Sequence, residues 1–216
     1  MKFFLDTAIR EEIREAAALG MVDGVTTNPS LLKTAAAPYR EVIAEICRIV
    51  APGPVSAEVT AEDAAGMLRE GRELHTIAPN VVVKIPMGRV GLQVVRALHD
   101  EGIECNVTLV FSVNQALLAA KAGARFVSPF IGRLDDVGQE GMVLIEEILD
   151  VYGNYDFPTE VIVASIRHPM HVAAAAKLGA EIATMPTAVL RAMYEHPLTD
   201  VGKQKFLEAW RDVPKG

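Results

Sequence analysis

The chain has 216 residues, half of them apolar, and a formal net charge of −7. That length suits one large α/β domain or two small ones, with ample material for a core. The acidic balance, without a basic stripe or polybasic run, argues against a nucleic-acid surface. No apolar run approaches the ~18 residues needed to cross a bilayer, so no membrane association is expected.

The chain starts "MKFFLDTAIREEI", where acidic residues follow a few apolar ones, unlike a signal peptide. "KFFLD" reads as a first strand, "EEIREAAALG" as a helix, "GVTT" as a second strand and "YREVIAEICRIV" as the next helix. The pattern continues with strand "PVSAEVT", helix "AEDAAGMLREGRELHTI", strand "VVVKIP" and helix "VGLQVVRALHDEG". Strand candidates "IECNVTL", "RFVSPF", "EVIVAS" and "EIATM" bring the total to eight. Gly20, Gly102, Gly123 and Gly179 stand where helix C-termini need glycine.

Strict alternation of strand and helix demands parallel strands, because each helix returns the chain to its starting edge. Eight such units fit a (β/α)8 barrel of TIM type spanning 1–216 as one domain. The alternative is a doubly wound open sheet, but "FFLDTAIREE" carries no glycine fingerprint after the first strand. A further helix at about 198–212, with Phe206, Leu207 and Trp210 on its stripe, exceeds what a closed barrel needs. It caps its own barrel or packs on a neighbouring subunit; the single Trp favours an interface. Cys47 and Cys105 lack a CxxC partner and read as reduced thiols. A soluble, cytoplasmic protein is expected.

Side chains on a barrel strand alternate between interior and helices. Lys84 shares its parity with Val82, against Val81, Val83 and Ile85. The same test groups Asp6 with Phe4, Thr26 with Asn28, Ser56 with Glu58, and Asn106 with Thr108. It also groups Ser128 with Phe130 and Ser165 with Arg167. Seven strands therefore aim polar groups from their C-terminal ends at one axis, the face where active sites of such barrels lie. Taken singly, Asp6 or Asn28 could be a cap or turn residue.

Lys84 is the sharpest signal, the one lysine of eight inside an apolar strand. An ammonium buried there without compensation is costly and shifts toward the neutral amine, the nucleophile for Schiff-base formation with a ketone. The structural alternative is an ion pair of Lys84 with Glu58 or Asp6.

With these residues assembled, the chain resembles transaldolase, more closely the short, single-barrel subfamily that also includes fructose-6-phosphate aldolase. The resemblance covers the whole chain and is carried by "DGVTTNPSLL", "VVVKIP", "NVTLVFS" and "VSPFIGRLDD", supported by "FFLDT" and "ASIR". It implies catalysis without metal or organic cofactor, with Lys84 as the Schiff-base lysine and Asp6 as the base at the C4 hydroxyl. It further implies that Glu58, Thr108 and a held water shuttle protons, while Thr26, Asn28, Asn106 and Ser128 hold a three-carbon fragment. Arg133, Ser165 and Arg167 match phosphate positions, against the alternative of a loop salt bridge between Arg133 and Asp135 or Asp136. Glu58 and Phe130 are the transaldolase choices where aldolases of the subfamily carry Gln and Tyr, which favours transferase over lyase. A phosphosugar-binding barrel without catalysis is the non-enzymatic alternative. The implied partners are sugar phosphates and further copies of the chain, as a decamer of two pentameric rings.

His168 and His171 in "HPMH" lack a third ligand at recognisable spacing and are not read as a metal site. His75, His99 and His196 read as solvated, and the methionines as packing residues.

Overall fold

The computed structural model describes residues 1–35 and 37–214. In chain order its elements are β1 (Lys2–Asp6), α1 (Arg10–Ala18), β2 (Gly24–Thr26), α2 (Pro29–Thr34), α3 (Tyr39–Val50), β3 (Val55–Glu58), α4 (Ala64–His75), β4 (Val81–Pro86) and α5 (Arg89–Asp100). They continue with β5 (Cys105–Val110), α6 (Val113–Lys121), β6 (Phe126–Pro129), α7 (Ile131–Asp135), α8 (Gly141–Asn154), β7 (Glu160–Val163), α9 (Pro169–Leu178), β8 (Ile182–Met185), α10 (Thr187–Tyr194) and α11 (Pro197–Arg211). All eight strands run parallel and close in sequence order. β1 pairs with β2 on one side and with β8 on the other, Lys2 opposite Ile182 and Leu5 opposite Met185. The barrel therefore has no edge, and the open-sheet alternative is excluded.

The parity rule holds on every strand but β7, where Ile162 faces the interior while Val161 and Val163, which share the parity of Ser165 and Arg167, face the helices. Those two residues reach the cavity from the turn after the strand, with Ser165 at φ 62°. Phe4, Val82, Phe126, Ile162 and Ile182 form a buried cluster of their own inside the barrel, with the Phe4 and Phe126 rings edge to face at 6.2 Å. Val81, Val83 and Ile85 belong instead to the core between strands and helices. Gly24 makes room for the inner layer: a Cβ there would sit 2.7 Å from both the Phe4 ring and the Pro54 carbonyl oxygen. This filled layer is a floor for the barrel, and the polar side chains stand above it.

Local chemistry sets the helix ends. Asn28 accepts from the Leu31 N–H with Pro29 as the first helical residue, and Asp63 and Ser112 cap α4 and α6 in the same way. The four glycines expected at helix ends all have positive φ, from 69° to 91°.

Two short helices were not expected: α2 and α7 lie on the connections after β2 and β6, so "IGRLDD" is largely helix rather than loop. α11 has no buried residue, and Phe206, Leu207 and Trp210 are all exposed, so it does not cap its own barrel. Among the described residues no helix is long and apolar enough to cross a membrane.

Candidate active site

A cavity of about 220 Å³ opens at the C-terminal ends of the strands. It runs from Lys84, Asp6 and Thr26 past Asn28, Ser128 and Phe130 to Arg133, Ser165 and Arg167. Nine of the twelve candidate residues thus line one space, brought from β1, β2, β4, β6, α7 and the turn after β7. The other three, Glu58, Asn106 and Thr108, lie beside or behind it.

Lys84 is 4% exposed. In the β3–β4 register Glu58 stands opposite it, and Glu58 Oε2 lies 3.0 Å from the ammonium nitrogen. The same nitrogen donates to the Thr27 carbonyl oxygen at 3.0 Å. A carboxylate and a carbonyl therefore offset the desolvation of the ammonium, and of the two partners left open by the sequence it is Glu58 rather than Asp6 that pairs with it. The pair also supplies a route for the proton, because a lysine must lose one before it can attack a carbonyl. Glu58 faces a second cavity of about 440 Å³ bordered by α2 and α4.

Asp6 has a different environment. The Thr26 hydroxyl donates to Asp6 Oδ1 at 2.8 Å, and the Thr26 and Thr184 hydroxyl oxygens are 2.6 Å apart. With the Thr26 proton committed to Asp6, Thr184 is the donor in that second contact. Burial raises the Asp6 carboxyl above the ordinary aspartate range, outweighing the lowering pull of Thr26 and of the Lys84 charge. A carboxylate so perturbed is a stronger base than an ordinary aspartate.

Asn106 is fully buried, donating to Ser56 Oγ at 3.0 Å and accepting from Ser128 Oγ at 2.8 Å. Its amide orients the Ser128 hydroxyl, which lines the cavity. Thr108 Oγ1 is buried without a hydrogen-bond partner among the described residues. Such an orphan costs about 1–3 kcal/mol and is rare away from functional sites. It lies one residue before Leu109, whose φ of 59° coincides with a register shift between β5 and β6. Ser165, at φ 62°, is the other strained residue of this face. Bulky or β-region residues held there mark places where geometry is imposed for a purpose.

At the far end the Arg133 guanidinium lies over the Phe130 ring at 5.0 Å and has no acid partner among the described residues. The loop salt bridge considered for Arg133 is made by Arg167 instead, whose Nη2 donates to Asp136 Oδ2 at 2.8 Å. Asp135 faces His171, with its Oδ2 3.3 Å from Nε2. Among the described residues no cluster of three His, Cys, Asp or Glu is arranged to hold a metal ion. His75, expected to be solvated, has a buried Nδ1 without a partner.

Thr184 is the residue that sequence reasoning missed. Its parity with Ile182 in "EIATM" carried the signal, since the same alternation placed the inward residues of β1 to β6.

A family model described as "Transaldolase/Fructose-6-phosphate aldolase" matches residues 3–213. A "Probable transaldolase" of Methanococcus maripaludis is 64% identical over 210 residues, covering 97% of each chain. Proteins described in the same words are 58% identical in Aquifex aeolicus, over 100% of this chain and 99% of that one, and 56% identical in Geotalea uraniireducens, over the whole of both. Among solved structures, a mutant mandelate oxidase with an FMN adduct superposes with a TM-score of 0.59 at 15% identity. The match covers 86% of this chain and 64% of that longer one; at this identity it shows the barrel fold alone.

Proposed function

This chain belongs to the transaldolase/fructose-6-phosphate aldolase family and is an enzyme, and we propose that it is a transaldolase of the pentose phosphate pathway. It moves a dihydroxyacetone unit from sedoheptulose 7-phosphate or fructose 6-phosphate to glyceraldehyde 3-phosphate or erythrose 4-phosphate. The observation that carries this reading is a buried lysine 3.0 Å from a carboxylate, in a cavity that also holds Asp6 and two arginines.

Lys84 gives a proton to Glu58, and the free amine attacks the C2 ketone to form a carbinolamine. Glu58 returns the proton to the departing hydroxyl, one water leaves, and a protonated imine remains. The unpaired Thr108 hydroxyl supports a held water in this exchange. Asp6 then takes the C4 hydroxyl proton; the C3–C4 bond breaks, its electrons enter the iminium, and the shortened aldose departs. The enamine on Lys84 adds to the acceptor aldehyde, Asp6 returns its proton, and one water hydrolyses the imine. Ser128, oriented by Asn106, and Asn28 hold the fragment hydroxyls, with Thr26 keeping Asp6 in place. Arg133, Arg167 and Ser165 take the phosphate, whose oxygens suit guanidinium forks. Phe130 presents a ring with no acidic proton, so the enamine waits for an aldehyde rather than being protonated and released. That supports transfer over lysis.

The exposed apolar side of α11 supports a homo-oligomer, and the likeness to the short, single-barrel subfamily supports a decamer of two five-membered rings and a cytoplasmic location. Native mass measurement reads the assembly; a monomer at micromolar concentration contradicts it.

Borohydride reduction in the presence of fructose 6-phosphate, followed by peptide mass analysis, tests the chemistry. A three-carbon adduct on Lys84 is expected. An unmodified Lys84 under turnover conditions overturns the proposal.

A further inference from the structure

The two arginines assigned to phosphate sit on separate segments. Arg133 is on α7, after β6, and Arg167 is on the turn between β7 and α9. For both to meet one phosphate, something must hold those segments in register. His171, in the first turn of α9, does not line the cavity but touches both. Its Nδ1 accepts from the Arg167 backbone N–H at 3.3 Å. Its Nε2 lies 3.3 Å from Oδ2 of Asp135, the last residue of α7. Asp135 is itself fixed, because its other oxygen accepts from the Gly141 N–H at 2.9 Å.

We propose that His171 is a positioning residue for phosphate recognition, a neutral imidazole that ties the segment carrying Arg167 to the helix carrying Arg133. With Nδ1 accepting from Arg167, the ring proton sits on Nε2, the nitrogen beside the Asp135 carboxylate, so one tautomer serves both contacts. The His168 ring, tilted by 43° at a centroid distance of 3.8 Å, closes one face of the imidazole. Burial pushes His171 below the ordinary histidine range; His168 and Arg167 add to this while Asp135 opposes it, so the neutral form dominates at neutral pH. The close seating of the same two segments at Gly132, where a Cβ would lie 2.1 Å from the Ser165 carbonyl oxygen, leaves no slack for an alternative spacing.

The inference rests on the phosphate role proposed above for Arg167, and its test separates the two. His171→Asn keeps a short acceptor for the Arg167 N–H but cannot reach Asp135; Asp135→Asn weakens the same bridge from the other side and serves if the first variant does not fold. For both, KM for fructose 6-phosphate rises about three- to tenfold, the share of one hydrogen bond, while kcat stays within about twofold. The borohydride-trapped adduct of dihydroxyacetone, which carries no phosphate, forms on Lys84 as in the parent. Arg167→Ala is the control and raises KM by more than either variant. If Arg167→Ala leaves KM unchanged, the phosphate assignment itself is wrong. If Arg167→Ala raises KM and His171→Asn does not, His171 is only a helix-end cap and the inference fails while the assignment stands. A loss of kcat at unchanged KM also overturns it.

Discussion

The two ends of the cavity are built differently. At the amine end the groups are buried or nearly so, and most are held by hydrogen bonds: Lys84 is 4% exposed and paired, Asp6 is held through Thr26 by Thr184, and Ser128 is held by Asn106 and Ser56. At the end proposed above to take phosphate, the Arg167 side chain is 52% exposed and its Asp136 partner 59% exposed, a pair worth about 0–1 kcal/mol. The first end sits on strands, whose closed hydrogen-bond ladder fixes side-chain positions. The second sits on a short helix and a turn. Bond-making needs atoms pre-placed within fractions of an ångström, whereas a dianion needs charge that can close on it. The placement of each end follows from that difference.

Substitutions at the amine end should abolish chemistry, and those at the phosphate end should weaken binding. Lys84→Met has the largest expected effect, with turnover and adduct formation falling to background. Alone it leaves the Glu58 carboxylate buried without its partner, at about 3–5 kcal/mol, so the double variant with Glu58→Gln is the folded form to assay. Asp6→Asn lowers turnover by about 10²- to 10⁴-fold, the range of a lost general base, while dihydroxyacetone is still captured on Lys84.

That variant also reports on stability. The folded carboxyl is raised above its ordinary value of 3.8, so the native state binds more protons than the unfolded chain between the two values. The stability associated with Asp6 is fully present below the lower value and is lost as pH rises through the upper one. Asp6→Asn, neutral throughout, therefore unfolds at a higher temperature than the parent at pH 7. The advantage disappears in scans run below the ordinary aspartate value. An equal shift at both pH values contradicts the burial argument.

Gly132→Ala breaks the other end. Its Cβ falls 2.1 Å from the Ser165 carbonyl oxygen and 2.7 Å from Arg167 Nε, so the arginine must move. A displacement near 1 Å costs about 10²-fold in kcat/KM for phosphorylated substrates, with the dihydroxyacetone adduct retained. The smallest effect is expected for Asp136→Asn, which releases Arg167 from its exposed partner. KM for fructose 6-phosphate falls by no more than about fivefold, the equivalent of one surface ion pair. A rise in KM there would mean that Asp136 positions Arg167 rather than competing for it.

Much of the amine end was legible because parity is local. Val82 below Lys84, and Phe4 below Asp6, follow from alternation within single strands. Thr184 escaped because a threonine in "EIATM" reads as an ordinary strand former, although its parity was the same. The choice between Glu58 and Asp6 as partner of Lys84 was open in the sequence. It depends on which strands are neighbours and in what register, and β3 beside β4 sets Glu58 opposite Lys84. At the phosphate end proximity in sequence misled: Arg133 is two residues from Asp135, yet Asp136 pairs with Arg167, 31 positions away. A five-residue helix turned Arg133 toward the Phe130 ring instead.

The sequence by itself determined the eight strand–helix units, the inward faces of β1 to β6 and the isolation of one lysine among β-branched residues, because periods of 2.0 and 3.6 residues are properties of the chain alone. Only the tertiary structure decided which acid stands beside that lysine, which acids the phosphate-end groups face, and that the last helix leaves its own barrel uncovered. Those outcomes depend on strand register and on side chains meeting across loops, where pairings are set by three-dimensional closure and no repeat in the sequence encodes them.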